Sequence, residues 1–427
     1  MNKTAPKKAR KQRPGKAAKQ EKDAHAAPPA SQTPTEKTWR FYIVAGEASG
    51  DRYAALLLSE LKKLFPRMTA LGVGGSHLRS AGQRQLFDLA VHAVVGLTDV
   101  LRHYFKFRDF FYQVAADIEQ QKPDALILVD YPGFNLRLAR KISSLAPGVP
   151  IIYYISPQVW AWKKNRTRLM RRVIDLLLVI FPFEKNWFGE NEPDLKVEWV
   201  GHPLLDRWEK PAIDENNNQG IHRIAMMPGS RRQEIVRHLP VLLETAAQAS
   251  VFLRDATFIF LATDEEARAS MESAILASPA RKLNYEIHTG HQLTHLSRCD
   301  LALVASGSAT LECCVASVPM LVIYKTNPLT FWIGQKVVQL PYISIVNILA
   351  GEKVVPEFLQ NNANARRLVG AIRQIAKNPR WRMETRARLR EVTARLGDVG
   401  ASQRAAQAVQ KLIQSMTHKM ALDSVNV

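Results

Sequence analysis

Two turns in the second half of the sequence combine glycine, serine and arginine in a way that suits a phosphate group. Residues 228–232 read Pro-Gly-Ser-Arg-Arg and follow a short apolar run. Gly229 lets the backbone approach a ligand closely, and Ser230 with the N–H groups of the turn can bond a phosphate oxygen. Arg231 or Arg232 can pair with a diphosphate through a bidentate guanidinium. A strand-to-helix turn with two solvated arginines is the alternative, so this turn alone does not establish a phosphate site.

The second turn, residues 306–312, reads Ser-Gly-Ser-Ala-Thr-Leu-Glu; it also follows an apolar run and opens a predicted helix. A carboxylate at Glu312, one or two helical turns in, can accept hydrogen bonds from both hydroxyls of a ribose. The alternative is a capped helix in which Glu312 interacts with the helix dipole. Together the two turns favour a nucleotide site. Its predicted members are Gly229, Ser230, Arg231, Ser306, Gly307, Ser308, Thr310 and Glu312.

Two carboxylates come directly after predicted strands, where they would reach the rim of a cleft. Asp130 follows the apolar run 125–129, and a Pro-Gly pair soon after it enforces a turn. An aspartate so placed can act as general base towards a sugar hydroxyl, although a capping or turn role is commoner for a single aspartate. Glu47 holds the same position after the first strand. Ser49 comes one place too late for the G-x-S-x-G nucleophile motif, which argues against a serine hydrolase.

Aromatic side chains mark two further segments. Trp160 and Trp162 stand in a Ser-Pro-Gln-Val-Trp-Ala-Trp stretch and can line a groove for a lipid or a sugar, with core packing as the alternative. Residues 94–114 are rich in aromatic and basic side chains, which suits a helix at a membrane interface; an ordinary buried helix is the competing interpretation.

The elements that must position these residues repeat along the chain. Short continuous apolar runs alternate with helix-period stretches, a pattern typical of a parallel sheet buried on both faces. The pattern stops at a polar stretch and then restarts, so we predict an α/β fold of two Rossmann-like, doubly wound parallel-sheet domains facing each other across a cleft. The predicted divisions are a disordered basic tail (1–39), an N-terminal Rossmann-like domain (40–208), a second Rossmann-like domain (209–365), and C-terminal helices packing back on an N-terminal domain (366–427).

The charge of the chain indicates an anionic partner. The formal net charge is +20, of which residues 1–40 supply +8 and the remainder +12. The first segment is rich in Lys, Ala, Pro and Gln without an apolar period, as in disordered tails. The charge of the remainder suits a membrane surface, a phosphorylated substrate or nucleic acid. No recognised nucleic-acid motif supports the last of these.

Several classes of protein are disfavoured by what the sequence lacks. It contains neither a G-x-x-x-x-G-K-[ST] phosphate loop nor a clean G-x-G-x-x-G signature, which argues against ATP hydrolysis and hydride transfer. Three cysteines are too few for a disulfide framework, and neither they nor the eleven histidines show metal-ligand spacing. We therefore expect no metal ion and no cofactor. No apolar run approaches the roughly 20 residues that span a bilayer.

Eight segments, in order along nearly the whole chain except the tail, resemble the lipid-A-disaccharide synthase family. The Ser-Pro-x-Val-Trp-Ala-Trp segment is highly specific, whereas the glycine loops are not. The resembling segments are 44–51 (VAGEASGD), 130–135 (DYPGFN), 154–162 (YISPQVWAW), 181–185 (FPFEK), 200–203 (VGHP), 228–231 (PGSR), 305–312 (ASGSATLE) and 346–351 (VNILAG).

The resemblance implies an inverting glycosyltransferase of the GT-B type. It would join UDP-2,3-diacylglucosamine to 2,3-diacylglucosamine 1-phosphate through a β-1,6 bond and release UDP. It would work at the cytoplasmic face of the inner membrane of a Gram-negative-type bacterium, with peripheral membrane contact and a possible homodimer that exchanges C-terminal helices.

The resemblance also assigns roles to individual residues. The family's essential aspartate falls on Asp130, its donor-site arginine on Arg231 and its ribose-type glutamate on Glu312. The family's asparagine falls on Asn347, which joins the predicted UDP-donor residues. Glu47 and Ser49 match the first-strand motif and are predicted, with Asp130, to be catalytic. Two departures are Ala48, in place of a common threonine, and Gly133, where many relatives carry a second acid. The second departure leaves Asp130 as the only carboxylate of its loop.

Two other functions compete with this one. A related nucleotide-sugar enzyme, either a transferase of cell-wall precursors or an epimerase, would share the fold but ignore acyl chains. A nucleic-acid-binding protein would depend on the basic tail, and deletion of residues 1–39 would abolish its binding while leaving transferase activity intact.

Overall fold

The computed structural model describes residues 37–88, 100–161, 166–208, 220–328, 331–332 and 340–425. Side chains are described in these ranges except at 88, 100–106 and 419–425. The predictions for Trp162, for the tail 1–36 and for residues 94–99 lie outside the described residues.

The first sheet has seven parallel strands in the order β3-β2-β1-β4-β5-β6-β7. All five residues of β4 and all four of β5 are buried, because helices cover both faces of the sheet. The strands are β1 (Trp39–Ala45), β2 (Met68–Gly74), β3 (Arg84–Asp88), β4 (Ala125–Val129), β5 (Ile151–Tyr154), β6 (Leu176–Val179) and β7 (Val197–Trp199). The helices are α1 (Ala48–Leu64), α2 (Ser76–Ser80), α3 (Val100–Gln121), α4 (Pro132–Leu145), α5 (Thr167–Val173) and α6 (Pro182–Asn191), followed by a 3-10 turn (Leu205–Arg207).

The second sheet has six parallel strands in the order β10-β9-β8-β11-β12-β13. Its strands are β8 (Arg223–Met227), β9 (Thr257–Ala262), β10 (Tyr285–Thr289), β11 (Leu301–Ala305), β12 (Met320–Tyr324) and β13 (Glu357–Leu359). Its helices are α7 (Arg232–Ala249), α8 (Glu265–Leu276), α9 (Gln292–Leu296), α10 (Ser308–Val315) and α11 (Ile345–Ala350), with 3-10 turns at Pro279–Lys282 and Gln360–Asn362. The predicted fold of two doubly wound parallel sheets is therefore confirmed.

Three further helices end the chain: α12 (Ala365–Ala376), α13 (Pro379–Ala394) and α14 (Ala401–Val425). The sequence analysis predicted that all of these helices pack on an N-terminal domain. In the structure, two of the three pack on the second sheet. Helix α12 buries Leu368, Ile372 and Ile375 in the core of the second sheet. Helix α13 packs against α10, which also belongs to the second sheet.

Helix α14, in contrast, packs against α1 of the first sheet. Its small residues Ala401 and Ala405 are fully buried and allow the two helices to approach closely. Asp206 fixes the start of α14, because its carboxylate accepts the N–H groups of Gly400 and Ser402 at 2.7 Å each. The two sheets and all three helices lie in one compact unit, Thr38–Val427. No helix in the described ranges has both the length and the apolar composition needed to cross a bilayer.

Each sheet reverses its strand order at one point, and the predicted site residues lie at both reversals. In the first sheet the reversal is between β1 and β4, which are followed by Glu47 and Asp130. In the second sheet it is between β8 and β11, which are followed by the turns at 228–232 and 306–308. A ligand of an open parallel sheet binds beyond the carboxyl ends of its strands at such a point. The topology alone therefore places these residues at binding edges.

Candidate active site

Asp130 is presented by a strained turn at the end of β4. Asp130 and Tyr131 both have left-handed backbone conformations, with φ of 49° and 48°, which costs about 1–3 kcal/mol for each such residue. The surroundings hold the turn in place. The carbonyl oxygen of Asp130 accepts hydrogen bonds from the Tyr153 hydroxyl at 2.5 Å and from Asn135 Nδ2 at 2.8 Å. The main chain that carries the Asp130 side chain is thereby fixed at the sheet edge.

The first-strand motif packs directly on this turn. A side chain at position 46 would place its Cβ 2.2 Å from the ring of Tyr131, so only glycine fits there. The conformation of the Asp130–Tyr131 turn thus requires glycine at position 46. Sequence reasoning missed Tyr153 and Asn135, because nothing in an apolar strand or in an ordinary helix start shows that a side chain supports a neighbouring turn.

The pKa of the Asp130 carboxyl is raised to about 7. Burial is the largest cause, and the negative charge of Glu47 adds to it, while Arg231 acts in the opposite direction. A general base is most effective when its pKa lies near the working pH. The surroundings of Asp130 therefore suit proton removal near neutrality better than a freely solvated aspartate would.

Glu47 and Arg231 form an ion pair that joins the two sheets. Arg231 Nη2 donates to Glu47 Oε2 at 2.8 Å and to Oε1 at 3.0 Å. The side chains are 64% and 32% exposed, respectively, so the pair contributes about 1 kcal/mol or less to stability. A ligand with more negative charge can therefore replace Glu47 at little cost. Of the two arginines of this turn, Arg231 is the one that bonds Glu47 and lowers the pKa of Asp130; its contact with a donor stays a prediction.

The main chain of the 228–232 turn is already engaged by a residue that sequence reasoning missed. Glu234 Oε2 accepts the N–H groups of Ser230 at 3.1 Å and Arg231 at 3.3 Å. Gly229 has a φ of +123°, and a Cβ there would lie 2.5 Å from the same carboxylate oxygen. A phosphate must share or displace Glu234 to use these amides. The signal was present, because a glutamate three residues after a helix-capping position is a capping-box pattern.

In the turn after β11, two residues stabilise the turn itself and two are exposed. Ser306 donates its hydroxyl to the carbonyl of Ile343 at 3.3 Å, and the buried Thr310 donates to the carbonyl of Gly307 at 2.7 Å. These two side chains shape the turn. Gly307 and Ser308 are exposed at the start of α10, where backbone N–H groups and the helix dipole favour an anion.

Glu312 faces the first sheet across the boundary between the two. Its Oε1 lies 3.9 Å from Arg52 Nη1, and its side chain is 13% exposed. Burial raises the pKa of Glu312, while Arg52 and Arg207 oppose that shift. If Glu312 only interacted with the dipole of its own helix, it would not need arginine partners from the first sheet. Arg52 and Arg207 were not predicted, since neither belongs to a motif.

Asn347 is buried with its whole amide group in use. Its Nδ2 donates to the Val355 carbonyl and to Glu357, and its Oδ1 accepts the N–H groups of Val354 and Val355. In this arrangement Asn347 supports a turn beside the cleft and offers no spare group to a ligand. Direct donor binding by Asn347 stays a prediction with no geometric support.

The remaining predicted residues lie in two places. Trp160 is half-buried; its Nε1 donates to Glu184 at 3.1 Å, and its ring packs edge-on against Phe183. It therefore combines internal packing with partial exposure.

Ser49 lies on the first turn of α1, two residues from Glu47, and is half-buried. Within the described ranges, no three His, Cys, Asp or Glu side chains converge as metal ligands would.

The fold and the site together define a class, the two-domain GT-B glycosyltransferases. Solved structures share this architecture. MnaA of S. aureus, solved with UDP, superposes with a TM-score of 0.57 at 12% identity, over 88% of this chain and 97% of that one. At that identity the likeness shows the fold alone.

Sequence comparison gives the particular family. The family model described as lipid-A-disaccharide synthetase matches residues 41–412. The lipid-A-disaccharide synthase of Geobacter sulfurreducens is 37% identical over 387 residues, covering 89% of this chain and 99% of that protein. Lipid-A-disaccharide synthase 1 of Legionella pneumophila (strain Lens) is 39% identical over 346 residues, covering 80% and 88%. The chain belongs to the lipid-A-disaccharide synthase family, glycosyltransferases of lipid A biosynthesis, as the resemblance predicted.

Proposed function

We propose that Asp130 is the general base of the transfer and that Arg231 neutralises the leaving diphosphate. The donor is UDP-2,3-diacylglucosamine and the acceptor is 2,3-diacylglucosamine 1-phosphate. The observation that carries this assignment is the convergence of Asp130, Glu47 and Arg231 at one point between the sheets. A carboxyl group with a pKa near 7 then lies beside a cation whose present carboxylate partner, Glu47, a diphosphate can replace.

The reaction follows from these charges. Asp130 takes the proton of the acceptor 6-hydroxyl while that oxygen forms a bond to the anomeric carbon of the donor. The bond from that carbon to the diphosphate oxygen breaks on the opposite face, and its electron pair leaves with UDP. Attack opposite the leaving group inverts the anomeric configuration and gives the β-1,6 link. Arg231 and the start of α10 stabilise the charge that a metal ion neutralises in other transferases.

Glu47 has two roles in this step. In the structure its carboxylate pairs with Arg231, and the incoming diphosphate replaces it as the partner of that arginine. Its charge also keeps the pKa of Asp130 high. We include Ser49, Gly229, Ser230, Gly307 and Ser308 in the site because they lie on the turns that carry Glu47, Arg231 and the start of α10.

Incubation with the diacylated donor and acceptor tests the function directly. Mass spectrometry should show a disaccharide 1-phosphate, and a chelator should leave its yield unchanged. UDP-N-acetylglucosamine is the matched control donor. A protein that consumes this control but ignores the diacylated donor would be a different nucleotide-sugar enzyme.

Replacement of Glu312 by glutamine should weaken UDP binding by about tenfold to a hundredfold, because hydrogen bonds to a charged group are lost. Calorimetry with UDP and with 2′-deoxy-UDP measures this. The wild type should prefer UDP, and the variant should lose most of that preference. The exposed Glu265 on the same domain provides a control substitution, Glu265→Gln. Unchanged discrimination in Glu312→Gln would reject the ribose assignment.

The pH dependence of kcat/KM should carry the signature of Asp130. The rate should rise as the pH passes through about 7, because only the ionised carboxyl accepts a proton. Glu47→Gln removes a negative charge that raises the pKa of Asp130, so the acid limb should move to lower pH. Rates measured between about pH 5 and pH 9 give the apparent pKa of the acid limb, which does not depend on the maximal value of kcat/KM. A shift to higher pH, or no limb near neutrality, would contradict the assignment.

The acyl chains of both substrates require access to a lipid surface, and helix α3 suits it. Phe110 and Phe111 pack on Phe134 with ring centroids 5.6 and 5.5 Å apart. Tyr112 is 54% exposed, and Phe107, whose ring also lies 5.6 Å from that of Phe134, is 39% exposed. We therefore place α3 at the inner-membrane surface facing the cytoplasm.

Flotation with anionic vesicles should show binding that the double substitution Phe107→Ser, Tyr112→Ser reduces severalfold. Equal flotation of both proteins would exclude α3 as the contact. The homodimer implied by the family stays a prediction, for which light scattering gives the mass.

A further inference from the structure

Two arginines share one carboxylate at the boundary between the sheets. Arg52, on α1, lies 3.9 Å from Glu312, and Arg207, on the 3-10 turn after β7, attracts the same carboxylate electrostatically. Arginine keeps its proton in proteins. One positive charge of this Arg52–Arg207 pair is therefore left over after Glu312 is neutralised.

The hydrogen bonding of the pair is incomplete. Within the part of the chain that the structure describes, Arg52 Nε and Arg207 Nη1 are buried and have no hydrogen-bond partner. Buried polar groups without a partner are rare in native proteins and each costs stability. The pair therefore combines a surplus positive charge with two N–H donors that have no acceptor, and these are the features of an anion-binding site.

The Arg52–Arg207 pair lies in the neighbourhood of Asp130. Tyr53, the residue after Arg52, is 7% exposed, and its phenol interacts electrostatically with both arginines, with Glu312 and with Asp130. Both arginines belong to elements of the first sheet, as Asp130 does. Arg231 and the start of α10, the groups assigned to the donor diphosphate, belong to the second sheet. The pair is thus on the acceptor side of the cleft.

We propose that Arg52 and Arg207 bind the phosphomonoester of the acceptor sugar. This inference rests on the proposed function, in which the acceptor carries a phosphate at one end of a hexose and its reacting 6-hydroxyl at the other. When the pair binds the phosphate, the sugar ring of the acceptor extends towards Asp130 and lies beside Tyr53. Two guanidiniums match the oxygens of a phosphomonoester through paired N–H groups. The pair would therefore set both the orientation of the acceptor and the preference for a phosphorylated one.

Arg207→Gln is the variant to compare with the wild type, because it leaves the 3.9 Å ion pair between Arg52 and Glu312 in place. The two acceptors are 2,3-diacylglucosamine 1-phosphate and the same sugar without its phosphate. For the phosphorylated acceptor, kcat/KM should fall about tenfold to a hundredfold. For the other acceptor it should hardly change. Arg207→Lys, which keeps the charge but loses the fork, should lie between the two. Arg140→Gln, at an exposed position on α4, is the control.

Direct binding separates this inference from the function on which it rests. Calorimetry of the phosphorylated acceptor in detergent, without donor, should show the same loss in Arg207→Gln, while UDP affinity stays at the wild-type value. A fall in UDP affinity would assign the pair to the donor diphosphate and overturn the proposal. Equal losses for both acceptors would also overturn it. Absence of product with the wild type, alongside an arginine-dependent affinity for the phosphorylated sugar, would reject the proposed reaction alone.

Discussion

Replacement of Asp130 by asparagine should lower kcat by a factor of about 10² to 10⁴, the usual contribution of a positioned general base. Asparagine keeps the size of the side chain and the backbone bonds to Tyr153 and Asn135, but it cannot accept the proton. UDP binding should change little, since the diphosphate contacts that we propose lie on the second sheet. Single-turnover rates and calorimetry with UDP measure the two effects separately.

A control for this substitution is available on the same domain. Asp194 is 72% exposed and pairs only with Arg171 among the residues described, so Asp194→Asn should leave kcat unchanged. Turnover at the wild-type rate in Asp130→Asn would remove this residue from the chemistry. An equal loss of UDP affinity and of kcat would instead indicate damage to the whole cleft.

Substitution of Arg231 by glutamine should reduce kcat/KM for the donor by about 10²- to 10³-fold, the loss typical when one stabilising donor is removed from a transition state. Lysine at this position should restore part of the loss, because it keeps the charge without the paired geometry. The acid limb of the pH profile should also move upward, because Arg231 lowers the pKa of Asp130. Initial rates at several donor concentrations and pH values provide these quantities.

Arg232 is the matched control for Arg231. It is adjacent, exposed and of the same type, yet it begins helix α7 without the contact to Glu47. Arg232→Gln should cost less than about threefold, within the range of a surface substitution. A larger loss in Arg232→Gln than in Arg231→Gln would show that the donor uses the other arginine and would reverse the assignment.

The sequence was sufficient for the parts of the molecule that depend on local pattern. Continuous apolar runs predicted parallel strands because a strand buried on both faces has no polar side. Glu47, Asp130 and the two turns could be placed at binding edges for the same reason, as each follows such a run. The residues of the candidate site that belong to motifs were therefore found, although their roles stay predictions.

What the sequence did not show are contacts between distant elements. Glu234 occupies the amides of its own turn, and Asn347 uses its amide internally; a motif match does not reveal which hydrogen bonds are already made. Arg52 and Arg207 were missed because more than 150 residues separate them and their partner Glu312 reaches them only across the boundary between the sheets. No spacing along the chain encodes either relation. The helices after residue 364 were assigned as one group because their apolar patterns do not specify which sheet they cover.

The packing of α14 on α1 has a consequence for the order in which the protein is made. The core beneath the first sheet includes Ala405, Val409 and Leu412, which leave the ribosome more than three hundred residues after β1. Domains usually fold as units during synthesis, the earlier one first. Here the earlier unit cannot bury its helical layer until translation is almost complete, so a nascent chain keeps an apolar face exposed while the second unit emerges. A premature stop near residue 400 would therefore harm the first-made half of the enzyme more than the last-made half.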